Sequence, residues 1–271
     1  MAQLSENRWG KSEIRISKIH RSDAGDDFSD LAVQVLLEGD VESAHTAGDN
    51  RAVLPTDTMR NTVYCLAQDH LSRDLEAFAS FLGDHFLDRG VARAAVSISE
   101  RLWSRAGPTG FVGGSSERRT ARVAKGVGET GTWAGIEGLV VLKTAGSAFT
   151  GFPTDEFTVL PETEDRILAT SVTATWRYST VPEDTTRTWE TARRTLVERF
   201  FTDWSASAQH QGWLMAVGLL EAVPEIDRVD LNLPNQHHLP FDISRFGMED
   251  RATIFQPVAE PYGDIGLTVT R

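Results

Sequence analysis

Hydropathy along this chain changes its period in the same order twice, and that repetition constrains the fold more than any single motif. Residues 11–20 and 31–37 alternate apolar with polar, most cleanly at Leu31, Val33, Val35 and Leu37, which predicts two strands with one buried face. The polar stretch 23–30 is read as the turn between them. An acidic loop at 38–49 leads to two helical patterns, one through Met59, Val63, Leu66 and Ala67 and one through Leu75, Phe78, Leu82 and Phe86. Strands follow at 94–102 and 120–125, joined by a Gly- and Ser-rich loop at 107–116. The order then restarts. Strands at 136–143 and 168–178 precede a helix with Trp189, Ala192, Leu196, Val197, Phe200 and Trp204 in one stripe, and a second helix capped by Ser205 or Ser207. Val229, Leu231 and Leu233 begin the closing pair, which residues 265–269 complete. The doubled ββααββ order predicts an α+β chain of two domains, 8–134 and 135–271, each an antiparallel sheet with its helix pair on one face. The bare faces and open edges predict that subunits join their sheets into a barrel.

Charge narrows the partners. The 271 residues carry a net charge of −12, a repulsive field for nucleic acid and for anionic membrane, so any anion site has to be locally positive. Cys65 is the single cysteine, which excludes an intrachain disulfide and a cysteine-rich metal site; its apolar helical setting reads as a small core residue. The apolar runs, such as 139–142, are too short to span a bilayer. No charged-then-apolar leader opens the sequence, and Val269-Thr270-Arg271 is no peroxisomal address, so a cytoplasmic protein is expected.

Pro55 stands before Thr56, Asp57 and Thr58, at the point where helical spacing begins. Side-chain oxygens and free backbone N–H groups meet at that helix start. They either cap the helix or hold a ligand bearing an anion or carbonyl, and spacing leaves both readings open.

Residues 48–64 resemble urate oxidase (uricase). The likeness extends to Trp9-Gly10-Lys11, to residues 149–152, to Asp165-Arg166-Ile167-Leu168, to the S-x-S-x-Q turn at 205–209 and to the L-P-N-x-H motif at 233–238. These motifs stand in the family's order over nearly the whole chain. The resemblance implies a tandem tunnelling fold (T-fold) and a homotetramer whose sites are shared between subunits. It implies oxidation of urate by O2 and water to 5-hydroxyisourate and hydrogen peroxide, without a cofactor. Around the purine it places Thr56, Asp57, Phe149, Arg166, Ala208, Gln209 and Asn235, with Lys11, Thr56 and His237 handling protons.

The chemistry of those residue types is coherent. The urate monoanion presents a planar pair of acceptors suited to the Arg166 guanidinium, and the Gln209 amide offers the acceptor and donor needed for N1–H and the C6 carbonyl. Phe149 offers a stacking face, and the Ala208 N–H lies in a helix's first turn. Lys11 and Thr56 would relay a proton as urate loses its second, with Asn235 placing oxygen and later water. Taken singly, the residues have plainer readings: Arg166 in an ion pair with Asp165, Phe149 in the core, Gln209 as a polar residue at a helix start. Two features depart from the family pattern, Trp9 where Tyr is usual and Ala208 where Val is common. No redox-cofactor motif appears. Residues 126–131 match G-x-G-x-x-G, but a strand rather than a helix is expected after them, against a dinucleotide site. His237 and His238 would point to opposite faces of a strand, against a shared metal. The competing assignment is a tandem T-fold protein that binds a pterin or purine without oxidase activity.

Overall fold

A computed structural model of the chain describes residues 2–258 and 260–271. The chain divides into two compact units, one of residues 1–135 and 177–189 and one of residues 136–176 and 190–271.

In the first unit, β1 (Trp9–His20), β2 (Asp27–Glu38), α1 (Glu42–Thr46), α2 (Thr56–His70), α3 (Leu75–Leu87), β3 (Arg93–Arg101), β4 (Ser104–Arg105), β5 (Phe111–Val112) and β6 (Arg118–Gly126) follow one another. The sheet order is β1-β2-β3-β6, with antiparallel pairing such as Ile16 opposite Leu31, Val33 opposite Ile98 and Ile98 opposite Ala121. Alternation sends Val33, Val35, Leu37, Val96 and Ile98 to one face, where they pack on Met59, Val63, Phe78, Leu82 and Phe86. Each fully buried side chain of that size contributes roughly 1.5–3 kcal/mol. Asp74 caps α3, accepting the Ala77 amide at 2.7 Å.

β1 holds α2 at both ends. Trp9 Nε1 donates to Leu54 O at 3.1 Å just before the helix, and Lys18 Nζ donates to Ala67 O, Gln68 O and Leu71 O at 2.7–2.9 Å at its end. The carbonyls gathered at the helix end and the negative helix terminus explain the ammonium's place there. A buried pair, Arg119 Nη2 to Glu76 Oε2 at 2.7 Å, is joined by the Thr185 hydroxyl, which donates to the same carboxylate oxygen at 2.9 Å. Residues 177–189 are thereby fastened to this unit.

The second unit contains most of β7 (Gly131–Lys143), β8 (Leu168–Tyr178) and α4 (Thr185–Thr202), then α5 (Ala208–Ala222), β9 (Ile226–Asn232), β10 (His237–Pro240), β11 (Phe255–Val258) and β12 (Gly266–Thr270). Its strands run β7-β8-β9-β12, with Val229 opposite Val269, while β10 and β11 form a separate ribbon. Leu168, Val172, Ala174 and Trp176 are buried on one face, as the alternation predicts.

Several local expectations are corrected. Asp27 to Asp30 belong to β2 rather than to the turn, because pairing with Ser17, Lys18, Ile19 and His20 continues the ladder. The acidic loop contains the single-turn helix α1, and the Gly- and Ser-rich loop contains β5. Leu102 lies beyond β3. Trp204 falls past the end of α4 and is exposed, and Val197 is only half-buried, so the α4 stripe is narrower than the sequence suggests. Cys65 is exposed: the buried side of α2 is Met59, Val63 and Ala67, and Cys65 sits two residues from both Val63 and Ala67, about 200° round the helix. Residues 126–131 form the turn into β7, a strand, as expected. A side chain at Gly126 would place Cβ 2.2 Å from Ala92 O, so close backbone approach explains this glycine.

Candidate functional site

The first unit supplies Lys11, Thr56 and Asp57. Gly10 lies where a Cβ would come within 2.0 Å of Val35 O, so Trp9-Gly10-Lys11 is the sequence that lets β1 press against β2. Lys11 pairs with Val35, and the register shifts between Lys11 and Ile14, an irregularity that interrupts the ladder beside the lysine. Lys11 and Thr56 are both half-buried. Pro55 is the N-cap of α2 and no side chain caps the helix, so Thr56, Asp57 and Thr58 occupy its first turn with backbone N–H groups lacking intrahelical acceptors. The Asp57 carboxylate is turned to Arg60, 2.9 Å away on the same helix, so its side chain is engaged outside the cap position. Of the two readings of this helix start, side-chain capping is the one the geometry removes.

The second unit supplies the other set. Asp165 does not pair with Arg166; its Oδ1 accepts the amides of Gly146 at 2.7 Å and Ser147 at 3.3 Å, while the Arg166 amide donates to Ser147 O at 2.7 Å. Phe149 and Thr163 exchange backbone hydrogen bonds of 2.7 and 3.0 Å. The loop between β7 and β8 is thus closed on itself, with Phe149 and Arg166 on neighbouring segments. The Arg166 guanidinium stands 5.1 Å from the Phe149 ring centroid, and Phe149 stacks on Phe152 at 4.7 Å. Neither phenyl ring is a core residue. Burial lowers the Arg166 pKa from its ordinary value, its Nε is buried without a hydrogen-bond partner, and no carboxylate pairs with it among the described residues. A planar anion would meet both a charge and an aromatic ring there.

Ser207, not Ser205, caps α5, accepting the His210 amide at 3.0 Å. Ala208 is buried in the first turn and Gln209 is exposed beside it. Ser205 is held in a parallel bridge with Ser147: the Ala148 amide donates to Ser205 O at 2.8 Å and the Ser205 amide to Gly146 O at 3.1 Å. The Asn235 side-chain nitrogen lies within hydrogen-bond distance of His237 Nδ1, at 3.2 Å. Pro234, Asn235, Gln236, His237, His238 and Tyr262 help line a cleft of about 530 Å³. Direct contact therefore joins Phe149 to Arg166 and Asn235 to His237.

Sequence reasoning missed a supporting layer. Lys143, at the end of β7, donates from Nζ to Asp203 O and to Gln211 Oε1, both at 2.7 Å; burial lowers its pKa, against the pull of Asp203 and Asp165. The one signal for it was a lysine closing an apolar strand.

Two antiparallel ββααββ frames, with an uncapped helix start in one and a ring-backed guanidinium in the other, define the class: a tandem tunnelling-fold protein with groups suited to a flat anion. The model of the Uricase family matches residues 7–126 and 132–266. A uricase of Arthrobacter globiformis is 40% identical over 272 residues, covering 99% of this chain and 90% of the relative, and one of Aspergillus flavus is 34% identical, covering 100% and 98%. The crystal structure of the Arthrobacter globiformis uricase superposes with a TM-score of 0.95, covering 100% of this chain and 96% of the other. A urate oxidase structure from Bacillus sp. TB-90, at 21% identity, has the same fold with a TM-score of 0.84 over 98% of this chain and 100% of that one. The chain belongs to the uricase family.

Proposed function

We propose that this chain, a urate oxidase by family, uses O2 directly, converting urate, O2 and water to 5-hydroxyisourate and hydrogen peroxide without metal or flavin. The observation that carries the reading is Arg166, a half-buried guanidinium over the Phe149 ring with no carboxylate partner among the described residues. Urate brings the missing negative charge as two in-plane acceptors. Arg166 binds that edge, Phe149 stacks on the purine, and Gln209 with the Ala208 amide takes the opposite edge.

The first-turn amides of Thr56 and Asp57 bind a further carbonyl or ring nitrogen, consistent with a helix start that no side chain caps. Lys11 takes a proton through the Thr56 hydroxyl as urate becomes the dianion, and His237 completes the relay. The dianion is electron-rich enough to reduce oxygen in single-electron steps. Asn235, fixed against His237, places oxygen and then water over the ring face. As domains we assign the two sequence repeats, residues 8–134 and 135–271, although the compact units place 177–189 with the first. The assembly is a cytoplasmic homotetramer in which Lys11, Thr56 and Asp57 of one subunit meet Phe149, Arg166, Gln209 and Asn235 of another. No described helix is long and apolar enough to cross a membrane.

Chelator-treated protein should remove the ultraviolet absorbance of urate in air and form peroxide in equal amount. Activity that vanished on chelation and returned with a metal would sink the cofactor-free reaction.

A further inference from the structure

We propose that Lys143 and Gln211 are positioning residues that hold the α5 first turn and the Phe149–Arg166 loop in one fixed arrangement at the urate-binding edge. The inference rests on the site assigned above and adds residues that do not touch the purine.

Three segment ends converge on the pair. Lys143 is the last residue of β7, where the strand gives way to the loop bearing Phe149 and Arg166. Its Nζ donates at 2.7 Å to Asp203 O, just beyond α4, and at 2.7 Å to Gln211 Oε1 in α5, and it lies 5.6 Å from the Phe200 ring centroid. Gln211 Nε2 returns to α4, donating to Arg199 O at 3.1 Å. Lys143 is 7% exposed and Gln211 1% exposed. Gln211 follows Ala208 by three residues, so both lie on one side of α5, and with Phe200 and Asn235 they surround a cavity of about 10 Å³. That leaves room for one water at most, so a displaced Gln211 would displace Ala208.

An ammonium in such a place is a costly way to fill space. Leu or Met at both positions would bury comparable volume without desolvating a charge or fixing a direction. What the polar pair adds is orientation: two hydrogen bonds from one nitrogen and one from the amide set the distance of α5 from α4 and from the end of β7. The Ser147–Ser205 bridge continues the tie, four residues beyond Lys143 and two beyond Asp203. The amide of Ala208 and the side chain of Gln209 leave one side of this hub, and the loop of Arg166 leaves the other.

The test compares Lys143→Met, Lys143→Met/Gln211→Met and Lys143→Arg by thermal stability, by KM and kcat for urate, and by binding of xanthine, an unreactive flat purine. Lys143→Met should raise KM and weaken xanthine about tenfold while kcat changes little, since misplacing a binding edge by a fraction of an ångström has that scale. The double apolar variant should regain most of the stability yet keep the raised KM, whereas Lys143→Arg, which keeps charge and donors, should stay nearer wild type than either. If Lys143→Met does not accumulate, the double variant and Lys143→Arg decide. A KM that returns with stability in the double variant, or one that never moves, overturns the inference. Arg166→Ala in the same assay separates the two readings: if it too leaves KM unchanged, the site assignment fails; if it alone raises KM, only the hub fails.

Discussion

The start of α2, the first helix of the pair in its ββααββ frame, and the start of α5, the second helix of the pair in the other, are finished differently. α5 is closed by the Ser207 side chain, which takes the His210 amide, and its first residue, Ala208, is buried. α2 opens on Pro55 with no side-chain cap, and the one acidic residue of its first turn, Asp57, faces Arg60. The counterpart of α5 in the first frame is α3, which Asp74 caps in the same way, so α2 is the helix start that stands apart. Around α5 the unit holds the groups proposed to bind urate, the ring and guanidinium of Phe149 and Arg166, and the hydrogen-bonded Lys143–Gln211 pair. Around α2 it supplies a lysine on an irregular strand and a hydroxyl at a helix start. Duplicated scaffolds leave helix starts and strand ends free to diverge, because the apolar alternation that stabilises the sheet does not pass through them.

That division of labour can be broken most severely at Lys11. Lys11→Met should lower kcat by roughly 10²–10⁴-fold with KM little changed, the range for a proton-transfer group; unchanged kcat across the pH range removes Lys11 from the relay. Arg166→Ala should act on binding instead, weakening urate by on the order of 2–4 kcal/mol, read from KM and from xanthine titration. A dominant kcat effect there would erase the contrast between the two units.

Mixing the two damaged chains sharpens the comparison further. If each site draws Lys11 and Arg166 from different subunits, refolding equal amounts together should restore about a quarter of wild-type activity, since in a two-fold pair one site collects both lesions and the other neither. Hybrid oligomers of the right size that stay inactive would mean that each chain builds its own site.

The helix starts themselves separate by stability. Ser207→Ala should cost about 1 kcal/mol in denaturant unfolding, the usual worth of a side-chain cap, whereas Thr58→Ala in the uncapped α2 should cost only a few tenths. Equal losses would show that α2 is capped after all.

The smallest effect concerns Glu100, whose carboxyl burial pushes above its usual range despite Arg73 and Arg119. The folded chain then holds this proton more tightly than the unfolded chain, so the stability from the group is full below about pH 4.3 and falls as pH rises through the raised value. The melting temperature of Glu100→Gln should therefore exceed that of wild type near neutrality, and the gap should close on acidification. A gap that widened with acid would mean that Arg73, 3.1 Å away, outweighs the burial.

How much of this was legible beforehand follows from the kind of force involved. β8 was readable to its boundaries, since a strand buried at alternate positions writes its period directly into Leu168, Val172, Ala174 and Trp176. Trp204 was misplaced, since helical spacing carries on in the residues after the chain has turned at Asp203. Cys65 was misread because a small apolar residue between buried neighbours carries no sign of its angle round the helix. Lys143 and Gln211 lie 68 residues apart in sequence, and nothing local announces that they share a hydrogen bond.

By itself, then, the sequence determined the doubled ββααββ order, the buried faces and the motifs that carry the family likeness, because each is a matter of spacing between near neighbours. Only tertiary structure decided that Asp165 holds two loop amides and leaves Arg166 to the Phe149 ring, that Trp9 and Lys18 anchor the two ends of α2, and that a buried ammonium joins three segment ends. Those choices depend on which distant groups come within about 3 Å of one another, and hydrogen bonds of that length are short-ranged and directional, so no periodicity along the chain records them.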